Sequence, residues 1–168
     1  MILNRQRRVR VAVPALGAFL ERVRKTLGLR QQELTVCLVS DAEIARLNAK
    51  FREKRGPTDV LSFPASRRQR KQMRQRRQRN APAHAGRARD LSSASAASFA
   101  SSASYLGDVA ISPETARRNA SRFGRTFAEE MRILVLHGVL HLLGYDHEND
   151  RGQMNRLERR LRRELGIG

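Results

Sequence analysis

The segment H-G-V-L-H-L-L-G-Y-D-H, residues 137–147, constrains this chain more than any other. It holds three of the four histidines, and residues 131–143 are rich in Leu, Ile and Val. An apolar run of that length predicts a buried helix. Residues four apart share a helical face about one turn apart, so His137 and His141 point to one place. Gly144 predicts the helix end, because glycine tolerates the left-handed conformation that closes helices. The chain can then turn back and bring His147 to the same point. Three imidazoles with one open position make a catalytic-type zinc site rather than a closed structural one. The expectation is one zinc per chain on His137, His141 and His147. The competing reading makes His137 and His141 core histidines and His147 a loop residue. Three histidines at this spacing, with a glycine at the bend, argue against it.

The spacing matches the metzincin signature H-E-x-x-H-x-x-G-x-x-H with one departure. Gly138 stands where those proteases carry the glutamate general base. The spacing therefore argues for the metal, and Gly138 argues against peptide hydrolysis.

The rest of the chain predicts an α+β fold. Residues 2–4 and 9–13 are short β-prone pieces. Pro14 can open a helix, continued by Leu16, Phe19, Leu20, Val23 and Leu27 at helical spacing and closed by Gly28. Residues 34–39 read as a buried strand. Ser40 predicts an N-cap with Glu43 completing a capping box, and Ile44, Leu47 and Phe51 share a face of the helix that follows. Residues 58–63 and 106–111 read as two further strands. Helices start at Ser112-Pro113, near Thr126 and near Asp150; exposed positions of the last one are mostly arginine and glutamate. The whole is best read as one mixed four-stranded sheet packed with helices, in a single domain over 1–168.

Residues 65–104 break that pattern. Residues 67–79 hold eight basic residues in thirteen, and 91–104 hold twelve Ala or Ser in fourteen. Neither stretch has the apolar periodicity of a packed element, so a largely disordered insertion is expected. It carries ten Lys and Arg and one acid, +9 of the chain's +18. It reads equally as an RNA-gripping arm or a tolerated loop expansion. His84, inside it, is not expected to be a ligand.

With 34 Lys and Arg against 16 Asp and Glu, the chain favours a polyanionic partner, nucleic acid before anionic membrane. The excess of arginine suits bidentate phosphate contacts. A single cysteine, Cys37, excludes an intramolecular disulfide and fits a reducing cytoplasm. No apolar stretch reaches the length of a membrane span, and the N-terminus lacks a signal core.

The histidine string is similar to the hallmark H-G-x-L-H-L-x-G-Y-D-H of the YbeY family. Residues 51–64, F-R-E-K-R-G-P-T-D-V-L-S-F-P, resemble that family's Y-R-x-K-x-x-P-T-[DN]-V-L-S-F-P, and 106–112, L-G-D-V-A-I-S, its L-G-D-[IVL]-x-I. The resemblance extends over most of 1–64 and 105–168. It implies a zincin-like fold and a zinc-dependent endoribonuclease specific for single-stranded RNA. It also implies a place in small-subunit rRNA 3′-end maturation and ribosome quality control, with rRNA, the small ribosomal subunit or its proteins as partners.

It implies further that Arg52 matches the family's functionally important arginine, which with Lys54 would clamp a phosphate. Apart from the resemblance, Arg52 reads as a solvated cation at a helix end. Candidates for the proton acceptor are zinc-bound hydroxide, Asp146, or the substrate's 2′-hydroxyl. Asp146 could instead orient a ligating imidazole, as could Asp108, which otherwise reads as a turn carboxylate. Tyr145 could meet a phosphate or a base, or pack the bend. Thr58, Ser62 and Phe63 are expected to shape the cleft wall. The rival functions are a non-catalytic, zinc-stabilised rRNA-binding assembly factor and a metal-dependent peptidase.

Overall fold

A computed structural model describes residues 1–65, 104–145 and 151–167. Four strands, β1 (Ile2–Asn4), β2 (Gln32–Leu38), β3 (Val60–Pro64) and β4 (Ser104–Ile111), form one sheet. Its order is β1-β2-β4-β3, with β1, β2 and β4 parallel and β3 antiparallel to β4. Among the described residues five helices accompany it: α1 (Val13–Thr26), α2 (Asp41–Arg52), α3 (Pro113–Arg122), α4 (Phe127–Leu142) and α5 (Gln153–Leu165). The mixed four-stranded sheet and the α+β class are as expected.

Helix α4 is the hub. It rests on β3 and β4 and is flanked by α1, α3 and α5. Met131, Val135, Leu136, Val139 and Leu140 are essentially inaccessible and join Val36, Val109 and Ile111 of the sheet in the main core. A smaller cluster of Val39, Ile44, Leu61 and Ala110 covers the opposite sheet face beneath α2. Strand side chains alternate between faces, so neighbouring residues of β4 serve different clusters.

The termini follow local rules. Thr126 and Glu129 form a full capping box at α4, each satisfying the other's backbone N–H. At α2 only half the expected box forms: Ser40 accepts from Glu43 N–H at 3.2 Å, while the Glu43 carboxylate lies 4.0 Å from Arg5. Gly144 ends the α4 turn at φ +94°, as its position predicted.

Several expectations need correction. Residues 9–13 form no strand, because the buried Gln6 amide both donates to Val9 C=O and accepts from Val9 N–H, each at 2.9 Å, and closes a loop there. Phe51 is exposed rather than buried with Ile44; it packs edge-on against Phe63 at 5.2 Å. Helix α5 starts at Gln153, after the left-handed Gly152, not near Asp150. Ala65 N–H bonds Leu106 C=O and Ser104 opens β4, so Ala65 is tied to the sheet and Ser104 is part of it rather than of the insertion. The rest of that segment lies outside the described residues. Among the described residues no helix is long and apolar enough to cross a membrane.

Candidate metal centre and cleft

The last two turns of α4 present His137 and His141 on one face, with their Nε2 atoms 3.1 Å apart. Two nitrogens bound to one tetrahedral zinc at about 2.0–2.1 Å stand about 3.3 Å apart. The pair therefore fits two ligand positions of such a centre with little movement. The third candidate, His147, lies outside the described residues, as does Asp146. Among the described residues no three potential ligands converge.

His137 is held from behind. Its Nδ1 lies 3.0 Å from Oε2 of Glu158 on α5. The other Glu158 oxygen accepts from Arg162 Nη2 at 2.5 Å. Glu158 is buried, only 6% exposed, beside Met154 and Leu161. Burial pushes its carboxyl pKa up, but the hydrogen bond and charge of His137, with the Arg162 guanidinium, outweigh burial and leave it below the ordinary value. The group is thus an ionised acceptor at neutral pH.

Arg52 and Lys54 from the end of α2, Thr58, Asp59 and Ser62 from around β3, and Tyr145 beyond α4 line a cleft with both histidines. Its volume is about 460 Å³. Glu53 caps α2 in the left-handed conformation, φ +54°, and separates the two cations. Ser62 donates to the Gly138 carbonyl at 3.0 Å, tying the cleft wall to α4. Asp59, not singled out in the sequence, anchors the wall: it accepts from Val60 N–H at 2.9 Å and from Asn119 at 3.0 Å.

Gly138 has a steric reason. A Cβ there would lie 2.5 Å from Val109 Cγ1 and 3.2 Å from Cγ2. The helix sits on β4 too closely for any side chain, so the missing glutamate of the metzincin pattern has no room in this packing.

Two expectations fail geometrically. Asp108 does not reach the histidines. Its neighbours Gly107 and Val109 face α4, so alternation turns Asp108 to the other side of the sheet, where it accepts a short hydrogen bond from the Tyr105 hydroxyl. Burial first, and then Asp108, push the Tyr105 pKa up to about 12, which keeps that donor protonated. Phe63 likewise faces away from the cleft, against Phe51. The carboxylate that does back an imidazole, Glu158, was missed. Its signal was present: a lone acid on the apolar stripe Met154, Leu161, Leu165 of the last helix.

Residues 2–166 match the family model described as Endoribonuclease YbeY. The chain is 37% identical over 167 residues to the Endoribonuclease YbeY of Koribacter versatilis, covering 99% of this chain and 86% of that protein. It is 38% identical over 154 residues to the Endoribonuclease YbeY of Solibacter usitatus, covering 92% and 80%. The solution structure of TM1509 from Thermotoga maritima superposes with a TM-score of 0.54 at 25% identity, covering 98% of this chain and 89% of that one. With the family model matched over residues 2–166 and relatives 37% and 38% identical over most of both chains, the chain belongs to the YbeY endoribonuclease family.

Proposed function

We propose that this protein is a zinc-dependent, single-strand-specific endoribonuclease that acts in the cytoplasm on the 3′ end of small-subunit rRNA and in ribosome quality control. The observation that carries the reading is the facing Nε2 pair of His137 and His141 in a cleft also lined by Arg52 and Lys54. When bound, zinc lowers the pKa of a coordinated water and polarises a phosphoryl oxygen. The chain's own groups do the rest. Arg52 and Lys54 grip the phosphate and offset the charge that develops on it. Glu158 holds His137, and Tyr145 stands at the rim where a phosphate or base would pass. A net charge of +18 draws the polyanion to the surface.

Metal analysis coupled to single-turnover cleavage of a defined single-stranded RNA tests the reading. Near-stoichiometric zinc, with cleavage lost on chelation and restored by metal, is the expected result. Zinc without cleavage would favour the non-catalytic assembly factor, and turnover of casein would favour the peptidase.

The two sets of cations should separate kinetically. Arg52→Ala should lower the rate at saturating RNA by about 10- to 100-fold, the value of one charge-assisted hydrogen bond, with zinc retained. Deleting residues 67–103, which removes ten cations, should instead weaken binding and flatten its salt dependence, by about 0.7 in log–log slope per phosphate released. The saturating rate should survive. If the deletion abolishes that rate while Arg52→Ala spares it, the roles are reversed.

A further inference from the structure

His137 cannot present Nε2 to a metal unless its proton sits on Nδ1. In a free imidazole the two tautomers interchange, so something must select one. Glu158 Oε2 lies 3.0 Å from Nδ1. A carboxylate only accepts, so it demands Nδ1–H. Glu158 is itself fixed, because its second oxygen is occupied by Arg162 at 2.5 Å and its stem is buried in the α4–α5 core. Arg162 donates only. Beside an ionised Glu158, these contacts are consistent with the roles donor Arg162, acceptor Glu158, donor Nδ1 of His137 and acceptor Nε2 facing His141.

We propose that Glu158 is a positioning residue which, locked by Arg162, fixes His137 as the Nδ1–H tautomer with its Nε2 lone pair turned into the cleft. Its consequence for zinc rests on the function proposed above; its consequence for the tautomer does not.

Glu158→Gln is the informative change, because it keeps the shape and removes one acceptor. Arg162 can bond only the remaining amide oxygen, so the amide NH₂ is left facing Nδ1. That arrangement favours the Nε2–H tautomer, which cannot ligate. Removing Arg162 as well lets the amide turn over and offer its oxygen to Nδ1 again.

The test uses the full chain after chelation, with imidazole ¹H–¹⁵N spectra for the tautomer and chelator competition for zinc affinity. The parent should show His137 as Nδ1–H. Glu158→Gln should shift it to Nε2–H and weaken zinc binding by about 10- to 100-fold, as loss of a ligand's hydrogen-bonding partner does. Arg162→Met should keep the parent tautomer, and Glu158→Gln/Arg162→Met should recover it together with most of the lost affinity. A merely structural role for Glu158 would not produce that recovery. An Nε2–H tautomer in the parent overturns the assignment without any variant having to fold. So does a Glu158→Gln protein with the parent's tautomer, or a double variant no better than the single one. A parent with the expected tautomer but no zinc would instead refute the metal reading alone.

Discussion

His141→Ala is expected to lose zinc to background on dialysis and to lose RNA cleavage with it, while keeping its fold. Replacing only the group that supports a ligand costs about 10- to 100-fold in affinity, so removing the ligand itself should cost more than 100-fold. The fold should survive because His141 lies at the cleft, half-buried, between Leu140 and Leu142, which carry the packing of that turn. Truncating it opens no core cavity, unlike a leucine truncation at either neighbour, which would cost about 2–5 kcal/mol. Elemental analysis beside a circular-dichroism melt separates the two effects. His84→Ala, in the insertion, should retain full zinc. Equal metal content in His141→Ala and the parent would remove the basis of the zinc assignment.

Gly138→Glu should give no peptidase and no stable protein. The first added carbon would stand 2.5 Å from Val109 Cγ1. Val109 is fully buried in a central strand, and its branched side chain is stiff about χ1, so it cannot swing aside. Overpacking of this kind costs about 1–3 kcal/mol. The carboxylate would add a penalty of several kcal/mol for a buried, unpaired charge. Replacing a helical glycine returns only about 1 kcal/mol of propensity. Against a total stability of about 5–15 kcal/mol, the glutamate variant should lose its cooperative melt. Gly138→Ala isolates the steric part and should lower the melting temperature. Val109→Ala should relieve much of that loss, as a double-mutant cycle would read directly. A Gly138→Ala protein as stable as the parent would show that the helix is not pressed onto β4.

The parts of this molecule legible in its sequence are those set by local chemistry. The i, i+4 histidines, the Gly144 stop, the Ser40, Ser112 and Thr126 caps and the strand at 34–39 all depend on a few adjacent residues. What was not legible depends on partners distant in the chain. The place of β1 beside β2, and of β4 between β2 and β3, follows from packing rather than from any one segment. Asp108 looked like a metal-site acid because of its neighbours, yet strand alternation sends it to the opposite face and to Tyr105. Glu158 looked like one of many charges on a basic helix, yet its position four residues after Met154 and three before Leu161 buries it against His137. Phe51 has helical spacing to Ile44 and Leu47 but sits in the final turn of α2, exposed, with its ring edge-on to Phe63.

The antiparallel pairing of β3 with β4 has a consequence for how the chain can vary. The segment joining these strands leaves at Pro64–Ala65 and returns at Ser104, and Pro64 itself borders the cleft with Gly144 and Tyr145. Its attachment point at Pro64 therefore lies at the rim of the site. Any RNA contact made by the ten cations of that segment would be linked to contact at the histidines as two arms of one bivalent binder. Avidity of that kind depends on reach and charge, not on order. If the cations act in that way, their number should matter more than their sequence, whereas each residue of the cleft is pinned to a position.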